Sequence, residues 1–157
     1  MEWLARFNAA SAADAERELR ACCASPAWVR TVAGGRPYPH RVDLLAAADA
    51  AFSALSWADI AQALAGHPRI GERAQGASAG EQSGVADGDR AALEIANREY
   101  ERRFGHVFLI RASGRPGEEM LAALRARLAN SPEAEQAVVR DELRQITRLR
   151  LERLVGS

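Results

Sequence analysis

Apolar residues recur at three- and four-residue spacing along almost the whole chain, the period of an amphipathic helix. Trp3, Leu4 and Phe7 open a short helix. Residues 14–23 make a second, ended by Ser25-Pro26, and Trp28, Val29 and Val32 mark a third before Gly34-Gly35. Arg36-Pro37-Tyr38-Pro39-His40 is a loop, because prolines at i and i+2 remove amide donors and clash with a helical backbone. Alanine-rich residues 43–55 return to helix. Ser56-Trp57-Ala58-Asp59 restarts it in the manner of an N-cap, and the pattern runs to Ala65 before Gly66 stops it.

Residues 67–88 are the least regular part, rich in Gly, Ala and Ser, and so long a loop in a compact domain is functional or disordered. Residues 89–104 form a polar, amphipathic helix. His106-Val107-Phe108-Leu109-Ile110 has strand propensity but no partner strand, so an extended or helical buried segment is expected. Gly114 and Pro116 break the chain, and residues 118–128 resume helix. The last helix covers residues 132–154, with Ser131 as N-cap and Pro132 at its first position. There is no internal repeat. The pattern predicts an all-α class and a single compact multi-helix domain over residues 1–157.

A chain of 157 residues is long enough to bury most of its apolar surface in one core. Basic and acidic residues number 21 each, so the net charge is zero and a generic polyanion binder is disfavoured. Acids are interleaved with the basic residues throughout, which argues further against nucleic acid as a partner. All the basic residues are arginine, which excludes Schiff-base and P-loop lysine chemistry. Cys22 and Cys23 are adjacent and have no third cysteine to pair with, so they are expected as small buried residues on a helix. No apolar run approaches the ~18 residues of a membrane span, the N-terminus lacks a signal pattern and the C-terminus lacks a peroxisomal tripeptide. A soluble, cytoplasmic protein without membrane association is expected.

Candidate chemistry centres on Gly66-His67-Pro68-Arg69-Ile70-Gly71 and on Ser78-Ala79-Gly80-Glu81-Gln82. The glycine permits a left-handed cap and the proline keeps His67 extended, so the imidazole projects from a helix end. With a reference pKa near ~6.5 it can exchange protons near neutrality. The same position equally suits a histidine that only caps the helix. Ser78-x-x-Glu81 is a capping box by spacing. That role is compatible with a helix N-terminus lining a polar site, where Gln82 adds an amide able to pair with a urea or imide edge. His40, His67 and His106 lack metal-ligand spacing, so no metal is expected. The arginines of the last helix read as a solvated face paired with Glu142 and Glu152, although one turned inward could clamp a carboxylate.

These pieces fall in the order of a known family. Phe7-Asn8, Cys22-Cys23-Ala24-Ser25 with Trp28, Arg36-Pro37-Tyr38, His67-Pro68-Arg69-Ile70-Gly71 and Ser78-x-x-Glu81-Gln82 lead. Asn97, Tyr100-Glu101-x-Arg103-Phe104-Gly105, Phe108-Leu109-Ile110-x-Ala112-x-Gly114-Arg115 and Met120-Leu121 follow. Arg127-Leu128-x-Asn130 and Ile146-x-x-Leu149-Arg150-Leu151 end the series. The chain thereby resembles the 2-oxo-4-hydroxy-4-carboxy-5-ureidoimidazoline (OHCU) decarboxylases, which complete the conversion of urate to allantoin.

The resemblance implies an all-helical homodimer, a cofactor-independent carboxy-lyase acting on a small molecule. It places the catalytic histidine at His67 and its partner carboxylate at Glu81. Substrate-binding positions fall on Pro68, on Ser78, Ala79, Gly80 and Gln82, and on the backbone of Phe108, Leu109, Ile110, Arg111 and Ala112. The arginine that meets the substrate carboxylate falls on Arg150, with Arg148 as the alternative. His106 and Arg111 depart from the family pattern and leave open a related lyase, or a binding protein, for another ureido or hydantoin-like carboxylate.

Overall fold

The computed structural model describes residues 2–70 and 87–156, and among these described residues there are eight helices. In chain order they are α1 (Trp3–Ala9), α2 (Ala12–Arg20), α3 (Pro26–Gly34), α4 (Arg41–Ser53), α5 (Trp57–Leu64), α6 (Asp87–Phe104), α7 (Gly117–Arg127) and α8 (Pro132–Gly156). No strand occurs among the described residues. The class is all-α, as the 3.6-residue periodicity predicts. No single helix among the described residues is long and apolar enough to cross a membrane. The chain divides into two units, residues 1–63 with 144–157, and residues 64–143.

In the first unit α2 packs on α3 and α3 on α4. Trp28 is buried completely, and its indole N–H donates to the Ala48 carbonyl at 3.0 Å, so the largest core side chain has no unsatisfied donor. Trp3 stacks on Phe7 with centroids 4.7 Å apart. The motif residues Asn8, Arg36 and Tyr38 here serve the fold. Arg36 donates to the carbonyls of Phe7 (2.8 Å), Ala10 (2.9 Å) and Ala33 (2.9 Å) at the ends of α1 and α3, where the helical i+4 amides run out. Asn8 and the Tyr38 backbone exchange two hydrogen bonds of 2.8 Å each. The Tyr38 hydroxyl donates to Val32 at 2.6 Å and lies where a Cβ on Gly35 would have to go.

Cys22 and Cys23 are buried as expected, but they are not helical. Helix α2 ends at Arg20, and the amides of Cys22 and Cys23 both donate to the Leu19 carbonyl, at 2.9 and 3.1 Å. The reason lies just downstream. Ser25 caps α3 through its Oγ, which accepts from the Trp28 amide at 3.3 Å, and it must be extended to do so and to precede Pro26. The chain therefore leaves helical geometry before Ser25. Ser56 caps α5 as predicted: its Oγ accepts from the Asp59 amide (3.2 Å) while Asp59 accepts from the Ser56 amide (3.0 Å).

In the second unit α6 packs on α7. Leu93, Ala96, Tyr100, Phe108, Ile110, Ala112, Met120 and Leu124 form one apolar cluster that also takes in Ile70. Helix α6 ends at Gly105, whose positive φ of 81° and amide bond to Glu101 (2.8 Å) fit a left-handed glycine cap. Residues 107–112 are neither helix nor strand, and Phe108, Leu109 and Ile110 are buried. Gly114, at φ 73°, turns the chain into α7, so Ser113-Gly114-Arg115 is a turn. Ser131 caps α8 by accepting from the Ala134 amide at 3.2 Å.

Candidate active site

His67 stands one short turn beyond α5, and its amide donates to the Leu64 carbonyl at 2.9 Å. Its side chain is half-buried, as is that of Pro68. The two residues that follow fasten this turn to α6. Arg69 meets the Glu101 carboxylate in a two-pronged pair, Nε to Oε2 at 2.7 Å and Nη2 to Oε1 at 2.9 Å. Ile70 inserts into the apolar cluster, and its carbonyl accepts from Asn97 Nδ2 at 2.8 Å. A histidine held this way keeps its position without belonging to a helix. Asn97 is almost wholly buried, and its Oδ1 finds no hydrogen-bond partner among the described residues. A cavity of about 650 Å³ opens beside the turn, lined by Arg69, Ile70, Arg90, Glu94, Asn97 and Arg98. That is ample for a small bound molecule.

Residues 108–112 enter the same cluster from the other side of the sequence, through Phe108, Ile110 and Ala112. Their backbone is fixed at three places. The Leu109 carbonyl accepts from Arg127 Nη1 at 2.8 Å, the Arg111 amide donates to Glu142 Oε2 at 3.0 Å, and the Ala112 carbonyl accepts from the Arg115 amide at 3.1 Å. Glu142 thus serves this segment and is not simply a partner for arginines on its own helix. The two departures from the family pattern sit close by. His106 packs edge-on to Tyr100 (5.6 Å) and parallel to Phe104 (6.1 Å), while the buried Arg111 Nε has no hydrogen-bond partner among the described residues.

The second unit therefore brings Ile70, which closes the turn begun by His67 and Pro68, and the 108–112 segment onto one apolar cluster. Arg150 belongs to the first unit, where its charge acts on Cys22 and Cys23. Burial pushes the Cys22 thiol up to about 12, an effect that the Arg150 charge partly offsets, and burial raises Cys23 as well. Arg148 is committed to two carboxylates, Asp49 and Glu152, the latter at 2.7 Å. Ser78, Ala79, Gly80, Glu81 and Gln82 lie outside the described residues. Among the described residues no cluster of three or more His, Cys, Asp or Glu side chains is arranged to hold a metal ion.

Asn97 and Glu101 were legible as motif residues but not as anchors of the histidine turn. A signal existed for Asn97. It lies on the same face of α6 as Leu93, Ala96 and Tyr100, and a polar side chain in an apolar stripe needs a buried partner.

A family model described as OHCU decarboxylase matches residues 8–152. The uric acid degradation bifunctional protein TTL of Arabidopsis thaliana is 32% identical over 154 residues, covering 90% of this chain and 48% of that protein. The chain thus spans about half the length of that relative. A 2-oxo-4-hydroxy-4-carboxy-5-ureidoimidazoline decarboxylase of Amia calva is 31% identical over 141 residues, covering 83% of this chain and 81% of that one. The crystal structure of an OHCU decarboxylase in the presence of (S)-allantoin superposes with a TM-score of 0.79 at 28% identity, covering 89% of this chain and 98% of that one. An (S)-allantoin synthase shares the fold, with a TM-score of 0.70 at 18% identity over 96% of this chain and 53% of its own. With its motifs in order and a family match over nearly its whole length, the chain belongs to the OHCU decarboxylase family.

Proposed function

We propose that this chain decarboxylates OHCU to (S)-allantoin, with His67 as the proton-handling group. The observation that carries this reading is the anchored His67 turn, whose Ile70 shares one apolar cluster with the 108–112 segment in a chain of this family. The substrate carries its own electron sink. When the bond from C4 to the carboxylate breaks, CO2 leaves and the electron pair forms a C4–C5 double bond. The ring imine nitrogen at C5 accepts the displaced electrons and a proton. Loss of the 4-hydroxyl proton and protonation of C5 then give the C4 carbonyl of allantoin. The chemistry needs orientation, an anion clamp and proton transfer, and it needs no external electron sink.

In this scheme Glu81 steers His67, and His67 takes the 4-hydroxyl proton. Ser78, Ala79, Gly80 and Gln82, together with Pro68, line the substrate, and the backbone of Phe108, Leu109, Ile110, Arg111 and Ala112 orients it. Arg150 is the carboxylate clamp. Arg148, which pairs with Asp49 and Glu152, is the alternative. The protein acts as a cytoplasmic homodimer, which light scattering of the purified chain would test.

The reaction is followed by circular dichroism of allantoin, with OHCU generated in situ from urate by urate oxidase and a hydroxyisourate hydrolase. Rapid build-up of a single enantiomer is expected. Slow racemic decay unchanged by the protein would refute the proposal.

A further inference from the structure

We propose that Arg127 and Glu135, supported by Tyr100 and Asn130, are positioning residues that set the direction of the 108–112 backbone toward the substrate. This inference rests on the decarboxylase reading of that segment. Glu135 is completely buried and accepts from four donors. Its Oε2 takes the Tyr100 hydroxyl together with Arg127 Nε (2.9 Å) and Nη2 (2.5 Å), and its Oε1 takes Asn130 Nδ2 (3.0 Å). Two of the three guanidinium nitrogens are thus spent on Glu135. The third, Nη1, reaches the Leu109 carbonyl at 2.8 Å. The guanidinium also lies over the Phe108 ring, 4.4 Å from its centroid.

The geometry fixes a direction. The carbonyl and amide of one trans peptide point to opposite sides, so turning the Leu109 carbonyl onto Arg127 turns the Ile110 N–H away from it. Glu142 holds the next amide, that of Arg111, at 3.0 Å. The peptide planes on this stretch are therefore set by side chains from α7 and α8.

A buried ion pair is a weak source of net stability compared with apolar residues of similar volume. A planar guanidinium locked by one carboxylate is, however, a rigid pointer, which a lysine cannot imitate. This gives a role to Tyr100 and to Arg127-Leu128-x-Asn130, motif residues that the chemistry itself leaves unused.

The test compares wild type, Arg127→Lys and Tyr100→Phe by OHCU kinetics and by amide hydrogen exchange of the intact protein. For Arg127→Lys the expected result is a KM raised about tenfold or more with a smaller change in kcat, the signature of lost binding contacts. Exchange should accelerate in peptides covering residues 108–112 and stay unchanged in peptides covering residues 12–34. Tyr100→Phe, the milder change, should move both readouts the same way by about threefold, and it carries the test if Arg127→Lys does not fold. A folded variant with a lower Tm but unaltered KM and unaltered local exchange would overturn the proposal. Absence of turnover in the wild type would strike the decarboxylase reading itself, and the exchange data would still report whether the clamp orders the segment.

Discussion

Asn97→Ala should loosen the His67 turn at a cost that can be worked from the contacts. The substitution removes the 2.8 Å bond to the Ile70 carbonyl and leaves that acceptor buried. An unsatisfied buried acceptor costs about 1–3 kcal/mol. Part of this is returned, because the Asn97 Oδ1 is itself buried without a partner among the described residues and disappears in the variant. The net loss should be about 1–2 kcal/mol, or about 2–8 °C in Tm for a domain of this size. Urea unfolding followed at 222 nm measures it. The catalytic effect should exceed what stability alone explains, with kcat/KM lower by about tenfold because His67 is no longer held in reach. Ile60→Val, a buried change in the first unit costing about 0.5–1.5 kcal/mol, is the control and should leave kcat/KM unchanged. Unchanged stability of Asn97→Ala, or activity no lower than that of the control, would refute the reasoning.

Two further outcomes follow from buried groups. Tyr100 is pushed up from 10.0, first by burial and then by its bond to Glu135, and burial also raises Tyr38. A tyrosine whose folded value exceeds its unfolded one stabilises fully below pH ~10, and that contribution is lost as pH rises further. Urea midpoints should therefore fall above pH ~10, and Tyr100→Phe should flatten the fall; a midpoint insensitive to alkali would contradict the assignment. Cys22 and Cys23, buried and held protonated, should resist iodoacetamide at pH 8 in the native protein and both react in denaturant, whereas native labelling would contradict their burial.

Helices were legible wherever one face is continuously apolar, and the capping serines Ser56 and Ser131 marked the starts of α5 and α8. The end of α2 was not, because the break before Cys22 is imposed by the extended Ser25 that follows and not by the alternation of apolar residues. The 108–112 segment was legible as buried but left open between extended and helical, since the hydrogen bonds that hold it go to side chains far along the chain, Arg127 and Glu142. Glu135 looks like an ordinary acidic residue in the first turn of a helix. Only its phase with Val139, Leu143 and Ile146 betrays that it points inward. Pairings such as Tyr100 with Glu135 are set by tertiary packing, which local spacing does not encode. The motif order identified the family, yet the fastening of the histidine turn by Asn97 and Glu101 became visible only in three dimensions.

The most direct test of the account is the rate of enantiomeric allantoin formation by wild type and by His67→Asn, measured side by side by circular dichroism. Wild type should form (S)-allantoin rapidly, and the variant should lose about 10²–10⁴-fold in rate with its fold intact. A His67→Asn protein that works at near the wild-type rate would contradict the account.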